Sequence, residues 1–114
     1  MTSRILPREL SSKERLREIV HFCHRIEELT TKDYHNFILL SFFLLQIGEH
    51  AGRLLVKYKF DEQYPHVRWK EWYGLRNLIV HNFANVEADL LWFTAKNDVP
   101  LMLMACQQLW EELV

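Results

Sequence analysis

The chain has 114 residues, of which 49 % are apolar and 25 % are charged, and only three are Gly and three Pro. So few turn-forming residues argue against an all-β fold, which needs a turn at intervals of about ten residues, and favour a single all-α domain over residues 1–114. A formal net charge of −1 excludes the strongly basic balance of a protein that coats nucleic acid.

The first predicted helix begins at a capping box formed by Ser11 and Glu14. Apolar residues then recur every three to four positions until about Thr30, which is the spacing of one buried helix face. The stripe consists of Leu16, Ile19, Val20, Cys23, Ile26 and Leu29.

A long second helix is predicted after candidate caps at Thr31 and Asp33. Residues 37–47 are apolar on nearly all sides, which indicates burial by other helices or by a partner chain. The run is too short to predict a membrane span, which needs about 18 apolar residues. Gly48 and Gly52 lie four positions apart and predict the close approach of another backbone.

Three further helices are predicted after a break at Tyr64 and Pro65. The third covers about residues 67–82, the fourth is capped by Asn85, and the fifth starts at Asp98. Short connections between them predict antiparallel neighbours in a bundle of about five helices.

The third helix carries an arginine in the middle of its apolar face. At about 100° per residue, Arg76 falls at the centre of the apolar arc. A guanidinium keeps its charge, so it must meet a carboxylate, a phosphate or an aromatic ring, unless this face lines an interface. The apolar arc consists of Trp69, Trp72, Tyr73, Ile79, Val80 and Phe83.

A second surface of the same helix holds Lys70, Gly74, Asn77 and His81. The spacing of four residues allows Asn77 and His81 to hydrogen-bond, which would orient the imidazole. Gly74 costs about 1 kcal/mol relative to alanine inside a helix, which predicts that another group approaches closely there. Arg76 and His81 lie about 140° apart, so both reach one phosphate only in a cleft between helices.

The same segment reads Tyr64-Pro65-x-x-x-Trp69-x-x-x-x-Gly74-x-Arg76-Asn77-x-x-x-His81-Asn82-Phe83. This pattern resembles the signature of HEPN ribonucleases, specifically the HepT toxins of HepT/MntA toxin–antitoxin systems. The spacing Arg-x-x-x-x-His alone is weak, since about 0.4 occurrences are expected by chance, and alone it favours a structural arginine and a surface histidine. The resemblance extends over roughly residues 10–112, through Ile47-Gly48-Glu49, Trp92 and Asn97-Asp98-Val99-Pro100.

The resemblance implies an all-α HEPN bundle that forms a homodimer, so that the segments with Arg76 and His81 face one cleft. It also implies a metal-independent endoribonuclease that acts on tRNA and needs no cofactor. His81 would move protons at the ribose 2′-OH or the leaving 5′-oxygen, and Arg76 would stabilise charge on the phosphate. Asn77 and Asn82 would support them, and the product would be a 2′,3′-cyclic phosphate.

Three charged residues are weaker candidates for contacts with RNA or with the cleft. Glu49 could touch the cleft or balance the arginine of the motif, and a structural role is the alternative. Arg53 and Lys70 could bind phosphate or be solvated surface charges. No metal site is predicted, since His21 and His24 lack a second cluster of ligands.

The chain departs from the family pattern at Phe83. The family has a tyrosine there, which its partner, an MntA-type nucleotidyltransferase antitoxin, modifies with AMP to silence the toxin. Phenylalanine has no hydroxyl and cannot accept AMP, whether it is a natural variant or a replaced tyrosine. The alternative functions are a non-catalytic HEPN protein that binds nucleotide or RNA or assists a nucleotidyltransferase, and a purely structural dimer. Intact Arg76 and His81 favour the nuclease.

Charged residues are distributed unevenly along the chain. Residues 53–84 carry a net charge of +3 and residues 85–114 one of −4, which predicts a locally basic cleft in a nearly neutral protein. Cys23 and Cys106 are interpreted as buried, reduced thiols. Residues 1–10 show no export signal, so a cytoplasmic location is expected.

Overall fold

The computed structural model describes residues 8–113, which form six α-helices and a short 3₁₀ turn over Phe83–Asn85. The all-α prediction is confirmed for these residues. One helix more than expected is present, because the four residues of α3 are too few to show a periodic pattern. The absence of an export signal was predicted from residues 1–10, and residues 1–7 of that segment lie outside the described part. The helices are α1 (Ser12–Thr31), α2 (Phe37–Tyr58), α3 (Phe60–Gln63), α4 (Trp69–Asn82), α5 (Ala88–Asn97) and α6 (Val99–Glu112).

α1 starts at the predicted capping box and buries the predicted stripe except for Val20, which is only partly buried. The Ser11 hydroxyl accepts from the Glu14 backbone N–H at 3.1 Å, and the Glu14 carboxylate accepts from the Ser11 N–H at 3.0 Å. α1 packs against α2 and α6, so its stripe faces the centre of the bundle. Four residues of the stripe are fully buried: Leu16, Ile19, Cys23 and Ile26.

α2 is capped by Asn36, and the predicted caps Thr31 and Asp33 are wrong. The Asn36 side chain accepts from the backbone N–H of Leu39 at 3.0 Å. Thr31 is the last residue of α1, and Asp33 turns the chain with a φ of 52°, a conformation that aspartate tolerates better than most residues.

α2 is also the central helix of the bundle. By length and composition it could cross a membrane, but 56 % of its most apolar window is buried inside the protein, as in the core helix of a globular fold. Part of its N-terminal half stays uncovered, since Ile38 and Phe42 are 73 % and 51 % exposed. The predicted burial by other helices is therefore met only in part within residues 8–113.

Gly48 and Gly52 bring α4 against α2, as predicted. A Cβ on Gly48 would lie 2.6 Å from both the Trp72 carbonyl oxygen and the Arg76 Cβ, and a Cβ on Gly52 would overlap the Tyr73 ring. Within the described residues, α2 and α4 make the most extensive contact between two helices. The two glycines therefore fix the position of the α4 residues at the candidate site.

The last two helices agree with the prediction except at one cap. Glu87 precedes α5, whereas Asn85 lies in the 3₁₀ turn and donates to the Asn82 side-chain oxygen at 2.6 Å. α6 follows Asp98, with Pro in its first turn. Both cysteines are buried and free, and burial raises the pKa of the Cys106 thiol to about 12.

Candidate active site

Arg76 lies where α4 crosses α2. Its Nε donates to Glu49 Oε2 at 2.7 Å, and the two side chains are only 25 % and 31 % exposed. The charge on the apolar arc therefore meets a carboxylate, which is one of the three partners that the sequence allowed. Glu49 Oε1 also lies 3.7 Å from Arg53 Nε, so one carboxylate serves two guanidinium groups. The three side chains together carry an excess of one positive charge.

Asn77 extends the contacts of Arg76 along α4. Arg76 Nη1 donates to Asn77 Oδ1 at 2.8 Å. Because arginine only donates, this contact identifies the oxygen of the amide and leaves its NH₂ group as a donor. The hydrogen bond that the sequence allowed between Asn77 and His81 does not occur among the described residues, where the amide oxygen accepts from the charged guanidinium instead.

The guanidinium of Arg76 keeps capacity for another ligand. It has five N–H donors, and in residues 8–113 only one on Nε and one on Nη1 make hydrogen bonds. The remaining three belong to the terminal nitrogens, whose planar fork matches two oxygens of a phosphate. The group can therefore bind an anion without giving up Glu49 or Asn77.

His81 does not join this cluster within one chain. It is exposed near the end of α4, and its side chain makes no hydrogen bond to any other described residue. Its neighbour Asn82 is exposed as well and accepts from Asn85. The structure thus brings Arg76, Asn77, Glu49 and Arg53 together and leaves His81 and Asn82 outside.

Lys70 and Phe83 lie at opposite ends of α4. Lys70 is 77 % exposed, and its Nζ lies 3.9 Å from Asp61 Oδ2. Phe83 is 41 % exposed, and its ring packs 5.2 Å from that of Phe37 at the start of α2. Position 83 is therefore reachable from solvent.

The close neighbour predicted at Gly74 is not found among the described residues. A Cβ built on it would meet nothing within 4 Å among the described residues.

A contact between Arg15 and His50 was not predicted from the sequence. Arg15 Nη1 donates to His50 Nδ1 at 3.0 Å across α1 and α2. Burial, and then the charge of Arg15, lower the pKa of His50, which is only 8 % exposed. A histidine in a mostly apolar helix was the signal in the sequence, but its partner depends on how the two helices align.

A mostly apolar groove lies on another side of α4. Its volume is about 390 Å³, and it runs between α4 and the pair α5 and α6. Trp72 and Leu75 form one wall, and Leu90, Leu101 and Met102 the other. No group of three His, Cys, Asp or Glu side chains that could hold a metal ion occurs in residues 8–113.

Comparison with known proteins shows the family to which the sequence is similar. The family described as "HepT-like: Ribonuclease HepT-like" matches residues 10–109. "Putative RNase MJ1380" of Methanocaldococcus jannaschii is 32 % identical over 75 % of this chain and 84 % of that protein. "Probable ribonuclease HepT" of Thermococcus cleftensis is 26 % identical over 79 % of this chain and 87 % of that protein.

A longer relative contains a matching part. "Gamma-glutamylcyclotransferase and putative RNase MJ0434" of Methanocaldococcus jannaschii is 28 % identical over 86 % of this chain, which spans 47 % of that protein. No solved structure matches the chain.

Proposed function

Because the chain belongs to the HepT-like ribonuclease family, we propose that it is a metal-independent endoribonuclease that uses Arg76 and His81 and acts on tRNA. The proposal is carried by the arginine at the crossing of α2 and α4. Glu49 and Asn77 hold it in place, and three of its N–H donors make no hydrogen bond to other described residues. Such a group is ready for a phosphate oxygen.

The reaction needs a proton acceptor and a proton donor around one phosphate. An imidazole such as that of His81 takes the proton of the ribose 2′-OH as its oxygen attacks the adjacent phosphorus. The bond from phosphorus to the 5′-oxygen then breaks, and this oxygen receives a proton. Arg76 stabilises the charge on the non-bridging oxygens. The products are a 2′,3′-cyclic phosphate and a 5′-hydroxyl, so DNA, which lacks the 2′-OH, is not cut.

The active unit in this proposal is a homodimer. Arg76 and His81 project about 140° apart from one helix, so the reacting phosphate would lie between two copies of the chain. Apolar side chains near the ends of α2 and α4 remain exposed and would be covered by the second copy. They are Ile38 (73 %), Phe42 (51 %), Val80 (45 %) and Phe83 (41 %).

The direct test is incubation of the purified protein with total tRNA in EDTA. We expect the parent to cleave, and His81→Ala and Arg76→Ala each to lose at least about 100-fold in rate. The matched controls are His66→Ala and Arg68→Ala, since both residues are exposed and Arg68 only pairs with Glu71 at 3.1 Å. Equal cleavage by the parent and His81→Ala would contradict the proposal.

We also propose that the protein acts as a toxin and that a nucleotidyltransferase antitoxin neutralises it by binding. Phe83 offers no hydroxyl for AMP, although its side chain is partly exposed. With an MntA-type enzyme and ATP, we expect the parent to be inhibited but to gain no AMP at residue 83, as read by mass spectrometry. Phe83→Tyr should gain AMP there. A parent chain that stays fully active beside the antitoxin would contradict neutralisation by binding.

A further inference from the structure

No packing contact among the described residues accounts for Gly74. It lies in the interior of the 14-residue helix α4, where glycine is a poorer helix former than alanine. The two glycines of α2 each make room for α4, but no atom of residues 8–113 lies within 4 Å of a Cβ placed on Gly74. If Gly74 makes room for a neighbouring group, as the glycines of α2 do, that group belongs to another molecule.

Gly74 lies in a row of polar residues along α4, and the carboxylate of Glu71 lies one turn away at the edge of that row. Lys70, Gly74, Asn77 and His81 follow one another along α4, and we call this row the α4 ridge. It is about 16 Å long and occupies a sector of about 60° around the helix. Glu71, the one acidic residue of α4, projects about 60° beyond it.

Both ends of the α4 ridge and its middle suit an anionic strand. The Lys70 ammonium, 77 % exposed, is 3.9 Å from Asp61, and so open an ion pair competes weakly with other anions. Asn77 joins the ridge to Arg76, because its amide oxygen accepts from that guanidinium while its NH₂ group remains a donor. His81, the proposed proton-transfer residue, stands at the other end.

We propose that the α4 ridge is the track along which single-stranded RNA approaches His81, and that its sugar–phosphate backbone comes closest to the helix at Gly74. This inference rests on the proposed ribonuclease function. Lysine, amide and backbone groups contact phosphates without reading sequence, and a side chain at position 74 would hold the strand away from the helix. RNA is favoured over a second copy of the chain because the exposed apolar side chains Ile38, Phe42 and Val80 lie outside the ridge.

The first test uses Gly74→Ala and Gly74→Leu. Because the space is open and alanine favours helix, we expect Gly74→Ala to melt about 3 °C or more above the parent, yet to cleave tRNA more slowly. Gly74→Leu should lose at least about 10-fold in cleavage. It should lose affinity in parallel for a fluorescent single-stranded RNA with 2′-O-methyl groups, which lacks the attacking hydroxyl. Gln108→Leu adds apolar bulk at an exposed site on α6 and should change neither.

The second test uses salt. Removing one phosphate contact lowers the slope of log affinity against log salt by about 0.7 for a single strand. We expect this change in Lys70→Ala and no change in Lys96→Ala, an exposed lysine of α5. An unchanged slope in Lys70→Ala would show that the strand does not pass that end of the α4 ridge.

The outcomes separate this inference from the function on which it rests. If the parent neither cleaves tRNA nor binds the 2′-O-methyl RNA, the proposed function fails and the track with it. If the parent cleaves and Gly74→Leu cleaves and binds equally well, only the track is wrong. If Gly74→Leu instead changes the oligomeric state measured by light scattering, the ridge contacts protein and the proposal is overturned.

Discussion

Glu49 determines how Arg76 presents its donors, because its carboxylate accepts the hydrogen bond of Nε–H at 2.7 Å and leaves the terminal nitrogens to other partners. We expect Glu49→Ala to lower kcat for tRNA cleavage about 10-fold, since the guanidinium loses its orientation. KM should not rise, because the variant removes negative charge beside the proposed phosphate site. The free energy of unfolding should fall by about 1 kcal/mol, the lower end for a charge-assisted hydrogen bond that is partly exposed.

The combined effect of two substitutions shows whether Glu49 acts through Arg76 or independently of it. In an Arg76→Ala background, Glu49→Ala should cause no further loss of activity. Glu71→Ala, which removes an exposed partner of Arg68, is the control and should leave kcat unchanged. Full additivity of the Glu49 and Arg76 effects would contradict the role given to the carboxylate.

His50 should make stability depend on pH. Burial and the neighbouring Arg15 hold the pKa of this imidazole below its ordinary value of about 6.5. As the pH falls below that value, the unfolded chain binds a proton that the folded chain refuses, so stability decreases towards the lower, folded pKa. We expect the melting temperature to fall between about pH 7 and 5.5, and His50→Gln to flatten this slope. The exposed His24, changed to Gln, serves as control, and equal slopes in His50→Gln and the parent would contradict the assignment.

For individual residues, the sequence predicted which side chains need a bonding partner better than it predicted which residue provides that partner. The apolar arc around Arg76 indicated that the arginine required a counter-charge, and Glu49 was named as a candidate. Arg76 donates to Asn77 rather than to solvent, and Asn77 pairs with Arg76 rather than with His81. Both outcomes depend on side-chain rotamers, which the spacing of residues in the sequence does not determine. The pairing of Arg15 with His50 depends on the alignment of α1 against α2.

Among the helices, the crossing of α2 and α4 is the contact that builds the site. Gly48→Ala places a Cβ 2.6 Å from a backbone oxygen and from Arg76 Cβ, so the two helices must separate. We expect the free energy of unfolding to fall by about 2 kcal/mol, although alanine is the better helix former. Chemical denaturation measures this loss. Gly74→Ala makes the same change on the open side of α4 and should have the opposite sign, and a stabilising Gly48→Ala would contradict the packing.

Periodic patterns predicted the long helices because one buried face repeats over many turns. The stripe of α1, its capping box and the start of α6 after Asp98 are confirmed. Caps were harder, since Thr31, Asp33 and Asn36 are all plausible in isolation and tertiary packing selects one. α3 was not predicted because it is a single turn.

For the molecule as a whole, one chain does not bring together the two residues of the proposed mechanism. Arg76 meets Glu49 and Asn77, while His81 stands apart on the exposed side of α4. The sequence predicted this separation from angles alone, about 140° between the two residues. In the proposed dimer, the sequence pattern does not determine which copy supplies which residue to one phosphate, because this depends on how the two copies pack.

Subunit exchange tests that arrangement. If one phosphate contacts Arg76 of one copy and His81 of the other, a dimer of Arg76→Ala with His81→Ala has one site with both residues intact and one with neither. Random exchange makes about half of the dimers mixed, so mixing the two inactive variants should restore about a quarter of the parent rate. Mixing Arg76→Ala with the double variant should restore none. Absence of recovery, with exchange confirmed by mass spectrometry, would mean that no site combines the two residues across the dimer.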